Sequence, residues 1–374
     1  MNLDFNDEQA LLRDTVARFV QDNYSLEKRN AIVKSPGGFS VDYWKTMSEL
    51  GWLSLPFSEA DGGLDGTQIE TMIVMEQFGK GLVVEPFLAS TVLGGGVLKR
   101  GASAALRNEL MPAVLDGSRQ LTLAYAEEQA RFDLECVATA AKAAGGDFVI
   151  DGSKSFVLNA ATANDIIIVA RTSGNERDTN GITLFAVDAK TSGISLTTYP
   201  TFDGLCVSEI RLKDVRVPKN RVIGQVDRGY EILRDTINDG ILAIAAEAVG
   251  AMEMLYTDTV AYTQQRIQFD HPLSDFQVLQ HRMVEMFMEY ELAKSLLYRA
   301  TMLAAQGSAE AQRSIYALKS LIGKAGAFVG ENAVQLHGGM GMTEELRIGH
   351  YFKRLVTIDL QFGSGDYHLR KFAA

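Results

Sequence analysis

The chain has 374 residues, 47% of them hydrophobic and 22% charged, with seven prolines; this allows two or three packed regions and excludes a small disulfide scaffold or long disorder. A net charge of −11 repels phosphate backbones and anionic lipid, so nucleic acid is not expected as a principal partner. Two cysteines without a C-x-x-C and five scattered histidines give no zinc or iron–sulfur pattern, and they fit a reducing compartment. The start, Met1-Asn2-Leu3-Asp4-Phe5, lacks a basic, apolar leader, and no apolar run approaches the roughly 18 residues of a membrane span. A cytoplasmic protein without a membrane partner is expected.

From Asp7, the spacing of Leu11, Leu12, Val16, Phe19 and Val20 predicts an amphipathic helix with Asp7 and Glu8 in its first turn. Further helices are predicted over 43–50, stopping at Gly51, and over 67–79, separated by the turn-rich stretch 58–63. After Asp116-Gly117-Ser118 the texture changes to short runs rich in β-branched and aromatic residues, at 120–125, 138–143, 147–151, 165–170, 181–187, 194–198 and 206–212. No crossover helix of useful length lies between them, so a mainly antiparallel barrel or sandwich is expected. Long helical periodicities return over 230–266, 275–306 and 309–336, with apolar faces wide enough for a bundle. The expected architecture is α+β: a helical domain over 1–118, an antiparallel β-barrel over 119–226 and a four-helix bundle over 227–374.

Three stretches in this order resemble the acyl-CoA dehydrogenase family across essentially the whole chain. The first is Glu49-Leu-Gly-Trp-Leu-Ser-Leu-Pro56 with Asp61-Gly-Gly-Leu64. The second is Asp151-Gly-Ser-Lys-Ser-Phe156, Leu158-Asn159 and Val215-Arg-Val-Pro218. The third is Arg266-Ile-Gln-Phe269 with Pro272-Leu273 and Phe276-Gln277, then Gln335-Leu-His-Gly-Gly-Met-Gly341. Tyr351-Phe-Lys-Arg354 and Ile358-Asp359 resemble the pimeloyl-CoA dehydrogenase small-subunit branch.

The resemblance implies FAD bound between the β-domain and the C-terminal bundle, with its adenosine end reaching a neighbouring subunit. Arg266 suits its diphosphate because a planar guanidinium binds phosphate oxygens bidentately, and Phe269 and Gln277 stand close by. Taken alone, such an arginine also serves as a helix cap or a surface pair. Gln335 with Gly338 and Gly339 resembles the second adenosine-diphosphate contact, and a glycine helix stop is the plainer alternative. Phe156 lies where an aromatic residue covers the flavin, although an isolated strand phenylalanine is more often core. The stretch Tyr125-Ala-Glu-Glu-Gln-Ala-Arg-Phe-Asp133 occupies the place of the family's Glu-Pro-Gly-x-Gly-Ser-Asp loop, which lines flavin and thioester. Glu127 and Asp133 match that loop, while Glu128, Gln129, Arg131 and Phe132 replace its proline, glycines and serine.

Desaturation of an acyl-CoA needs a base for the α-proton while flavin N5 takes the β-hydride. The family's commonest site for that glutamate falls on Phe362 and an alternative site on Gly240, followed by Ile241, so both are empty. The acidic candidates on this helix are Asp239, directly adjacent to Gly240, and Glu247, seven residues beyond Gly240 and thus about 10 Å along the axis and about 20° round the same face. Asp239 also reads as a helix-dipole partner and Glu247 as a buried ion pair. The resemblance implies an FAD-dependent acyl-CoA dehydrogenase passing electrons to an electron-transfer flavoprotein, as a homo- or heterotetramer with a related subunit. The alternatives are a catalytically silent subunit that shares the FAD site, and a flavin-dependent oxygenase of the same fold.

Overall fold

The computed structural model describes residues 5–374; the amino-terminal reading of Met1 to Asp4 lies outside them. In chain order come α1 (Asp7–Asn23), α2 (Leu26–Val33), α3 (Val41–Glu49) and α4 (Gln68–Gly81). A π-helical segment (Phe87–Gly95) then runs into α5 (Gly96–Gly101), followed by α6 (Ala104–Leu115). The strands are β1 (Leu121–Ala124), β2 (Ala140–Ala144), β3 (Asp147–Leu158), β4 (Asp165–Arg171), β5 (Ile182–Asp188), β6 (Ile194–Pro200), β7 (Cys206–Val217) and β8 (Val222–Ile223). Helix α7 (Tyr230–Gln265), the hairpin β9 (Ile267–Gln268) and β10 (His271–Pro272), and helices α8 (Gln277–Ala305), α9 (Ala311–His337), α10 (Arg347–Leu360) and α11 (Gly365–Ala373) complete the chain. This is a helical N-terminal domain, a middle β-sheet domain and a helical C-terminal domain.

The chain divides into two compact units that cut across this order. One combines the described residues up to Ile32 with Gln68–Val83 and Ile241–Ala374; the other combines Val33–Thr67 with Val84–Gly240. In the first unit, α1 opens with a capping box in which Asn6 and Gln9 bond each other's backbone, and it buries Val16, Phe19 and Val20. Helices α4 and α7 cross at van der Waals limit. A Cβ on Gly79 would lie 2.0 Å from the Glu247 carbonyl oxygen, and one on Gly250 would lie 2.0 Å from that of Glu76. Only glycine permits this approach.

In the second unit, one sheet runs β6-β7-β3-β2-β4-β5-β8, with β1 beside β4. Pairing is mainly antiparallel as expected, but β1 lies parallel to β4 (Leu121 opposite Asp165) and β2 touches β4 in parallel through Ala140 and Arg171. The crossover that parallel pairing requires is supplied by the β2–β3 hairpin instead of a helix. The sheet core gathers Ile150, Val157, Ile166, Ile168, Ile210 and Val215 around the edge-to-face pair Phe148 and Phe185, 5.1 Å apart.

The expectation that no segment reaches the length and apolarity of a membrane span holds for uninterrupted runs but not for α7. By length and composition α7 qualifies, because its most apolar 18-residue window holds at most two charged residues, and 78% of that window is buried.

Candidate functional site

In the second unit, Phe156 sits where the β3–β7 register shifts between Lys154 and Val157, at φ 54°. The bulge re-aims a side chain that a regular strand would alternate, and Phe156 stays 37% exposed. Its N–H donates to Oε1 of Glu209 at 3.4 Å, and Tyr199 Oη donates to the same oxygen at 2.7 Å.

Beside it, the 125–133 loop is anchored by Glu127. This buried carboxylate accepts Lys154 Nζ at 2.5 Å, the Ala138 and Thr139 N–H groups, and Gln129 Nε2. Burial pushes its pKa up, but Lys154 and these hydrogen bonds outweigh burial and hold it below the usual carboxylate range. Ser155 N–H donates to the Ala126 carbonyl, tying the loop to the strand that carries Phe156. Asp239, on the first turns of α7, faces Arg100 of α5 in a half-buried ion pair. Arg100 also reaches the Gly96 carbonyl at the end of the π-helical segment.

In the first unit, Arg266 ends α7 and enters the β9–β10 hairpin. Gln268 pairs with His271 across a two-residue turn, Phe269-Asp270, with both φ values positive (54° and 63°), the pattern of a type I′ turn. That turn favours asparagine and glycine, yet it carries a phenylalanine 84% exposed, whose nearest aromatic neighbour is Phe276 at 6.4 Å. Arg266, Gln277 at the start of α8 and Gln335 near the end of α9 are all exposed, and among the described residues no hydrogen bond engages their side chains. Gly338 and Gly339 follow, with no atom within 4 Å of an added Cβ at either. His337 in this turn is buried, stacked on Tyr262 at 4.3 Å and bonded through Nδ1 to the Ala333 carbonyl, which gives it a structural role.

Glu247 is buried in α7 with both oxygens taken by Arg354 of α10, Nε to Oε1 at 2.6 Å and Nη2 to Oε2 at 2.7 Å. That is the ion-pair alternative of the sequence reading in geometric form. The stretch that resembled one branch of the family also has packing roles: Tyr351 Oη donates to the Lys80 carbonyl, and Asp359 Oδ1 accepts Gly365 N–H. Phe362 is 9% exposed, at φ 58°. Its turn is held from three sides, by Lys319 Nζ donating to the Asp359 and Gly363 carbonyls at 2.7 Å, by the Asp359 cap, and by His368 Nε2 on the Phe362 carbonyl at 2.8 Å. Burial lowers the Lys319 pKa to about 8.

Ten described non-glycine residues have positive φ, and five are Asp or Asn, which tolerate it in turns. Leu82 is explained by a helix stop: Val83 N–H bonds the Phe78 carbonyl and Leu82 N–H that of Gly79, the Schellman pattern. The remaining four are Arg131, Phe156, Phe269 and Phe362. Each carries a cost of about 1–3 kcal/mol, and each lies at a position that the resemblance assigns to the cofactor loop, the flavin cover, the adenosine contact or the base.

Sequence reasoning missed the partners Arg100 and Lys319, and it quoted Lys154 and Arg354 only as parts of motifs. Arg354 lies 107 residues from Glu247, beyond the reach of any local spacing rule. A buried acid amid alanines was the only signal that a cation had to come from elsewhere.

Family models for the acyl-CoA dehydrogenase N-terminal, middle and C-terminal domains match residues 6–118, 122–215 and 227–374. A probable acyl-CoA dehydrogenase, YngJ of Bacillus subtilis, is 27% identical over 98% of this chain and 97% of its own. The CarC subunit of a caffeyl-CoA reductase–Etf complex from Acetobacterium woodii is 26% identical over 95% of this chain and 94% of its own. A solved structure of PigA with FAD and proline superposes with a TM-score of 0.93 at 24% identity, covering 100% of this chain and 98% of that one. With all three domains matched in order and relatives aligned nearly end to end, the chain belongs to the acyl-CoA dehydrogenase family.

Proposed function

We propose that this chain binds FAD and desaturates an acyl-CoA thioester between its α and β carbons, with electrons passing to an electron-transfer flavoprotein. The observation that carries the reading is the placement of strain: among the described non-glycine residues, outside Asp, Asn and one helix stop, positive φ occurs only at Arg131, Phe156, Phe269 and Phe362. The residues fit the cofactor. Arg266, Gln277 and Gln335 offer unengaged donors, Gly338 and Gly339 leave open space, and Phe269 and Phe156 present exposed rings. Arg266 holds the diphosphate, Phe269, Gln277, Gln335 and the two glycines take the adenosine end, and Phe156 covers the ring system. Bound FAD supplies the hydride acceptor. Asp239 is the base for the α-proton, oriented by Arg100, while Glu247 stays with Arg354 and Phe362 forms pocket wall. CarC, by its name a subunit of an Etf complex, supports the electron-transfer partner. The branch-like stretch around Tyr351 and Arg354 is accounted for by packing, so the substrate class proposed is acyl-CoA thioesters, with no narrower class drawn from that stretch.

A second reading has its own support. Both candidate carboxylates are paired with arginines and Phe362 occupies the familiar base position, as expected of a silent subunit that completes the FAD site of a related chain. Anaerobic flavin bleaching by a panel of acyl-CoAs, for the chain alone and coexpressed with a related subunit, decides between them. Bleaching by the chain alone supports the enzyme; bleaching only with the partner supports the silent subunit. Arg266→Ala should weaken FAD binding about 10- to 100-fold by removing charge-assisted hydrogen bonds. Unchanged cofactor content in that variant overturns the site.

A further inference from the structure

The loop from Tyr125 to Asp133 carries a cation, Arg131, that no hydrogen bond or ion pair engages among the described residues. Its base is fixed: buried Glu127 is saturated by Lys154, Gln129 and two backbone N–H groups, and Ala130 is buried. Directly after this clamp, Arg131 adopts φ 51° and ψ −98°, a conformation that glycine takes freely and a side chain resists. The residue is exposed, and among the described residues no hydrogen bond or ion pair engages its guanidinium. The nearest acid in sequence, Asp133, faces Arg177 at 3.5 Å. Arg131 is the one arginine among the described residues with a positive φ. The Ser155 to Ala126 backbone bond sets this loop beside the strand that presents Phe156.

We infer that Arg131 is a diphosphate-binding residue, its guanidinium fork taking the phosphate oxygens of a nucleotide ligand at the edge of the Phe156 surface. A guanidinium suits this ligand because its paired donors match phosphate oxygens. The strain fits the same role, since a rigid, clamped turn presents the fork without a further ordering cost. The inference rests on the reading that the chain binds FAD and acyl-CoA. Both carry a diphosphate, and the experiment separates them.

Arg131→Gly and Arg131→Lys are compared with the parent by fluorescence titration of the apoprotein with FAD, calorimetric titration of the FAD-loaded protein with coenzyme A, and melting of the apoprotein. Arg131→Gly should melt at or above the parental temperature, because strain is relieved, and should lose about tenfold or more in affinity for one ligand, with a weaker salt dependence. Arg131→Lys should keep the charge and fall between the two. Loss confined to FAD assigns the cofactor's diphosphate, and loss confined to coenzyme A assigns the thioester carrier's. If the parent binds both ligands and Arg131→Gly binds both equally well, the inference is overturned while the functional reading stands. It is overturned equally if Arg131→Gly only lowers the melting temperature. If the parent binds neither FAD nor coenzyme A, the functional reading itself falls.

Discussion

Arg354 lays its guanidinium across both carboxylate oxygens of Glu247, at 2.6 and 2.7 Å, with each side chain almost entirely out of solvent. The pair lies one turn from Gly250, where α7 touches α4, so it fixes α10 against the tightest helix crossing in its unit. Removing one partner strands a buried charge. Arg354→Ala should cost about 3–5 kcal/mol, whereas the double substitution Glu247→Leu with Arg354→Met should recover most of that loss. Denaturant unfolding of the three proteins measures both values, and an Arg354→Ala loss below about 1 kcal/mol would contradict the structural role.

His368 gives the fold an acid sensitivity. Burial is the chief cause that lowers its pKa to about 4, and its Nε2 faces the Phe362 carbonyl, so the neutral ring with Nε2 protonated is the folded form. The unfolded chain takes up a proton near the ordinary value of about 6.5. A depressed folded pKa therefore contributes stability in full above about pH 6.5, lost as pH falls towards 4, for a total of about 3 kcal/mol. Unfolding free energies measured between pH 7 and pH 4.5 should decline more steeply in the parent than in His368→Gln. Parallel profiles would remove His368 from the account.

Asp239→Asn preserves shape and removes basicity. With FAD content unchanged, flavin reduction by acyl-CoA should fall about a thousandfold. Arg100→Met should give a smaller loss, because it disturbs the orientation of Asp239 and not its chemistry. Parental rates in Asp239→Asn would show that Asp239 is not the base.

Helix α8 exposes Val284, Met288 and Leu292, at 55%, 55% and 54%, at four-residue spacing on one face. We propose that a second copy or a related subunit covers this stripe. Leu292→Glu should shift the assembly towards smaller species in sedimentation velocity. An unchanged distribution would place the subunit interface elsewhere.

Helices and strands were legible in this sequence wherever burial sets a period. The expected runs at 165–170 and 181–187 correspond to β4 and β5, and the 230–266 periodicity to α7, because apolar spacing and burial have the same physical cause. The halves of β3 and β7 beyond Asp151 and Leu212 were not, since bulges and exposed stretches such as Gly152–Ser153 interrupt the alternation that marks a strand. The helices after Glu85 were expected only as part of a helical domain over 1–118 and could not be delimited, for a similar reason: three consecutive glycines, Gly94 to Gly96, sit inside a continuous helical segment, where packing overrides propensity. In the candidate site, the residues proposed to meet ligand could be named from motifs. Their counter-ions could not, because Arg100 and Lys319 are brought to Asp239 and the Phe362 turn only by tertiary folding.

At the Phe362 turn, Lys319, Asp359 and His368 all grip backbone atoms, and none of these contacts depends on the side chain at position 362. The scaffold and the chemistry are therefore separable under mutation. After gene duplication, a copy can lose an acid at this position and keep its architecture, so a relaxed selective regime would erode activity long before it eroded the fold.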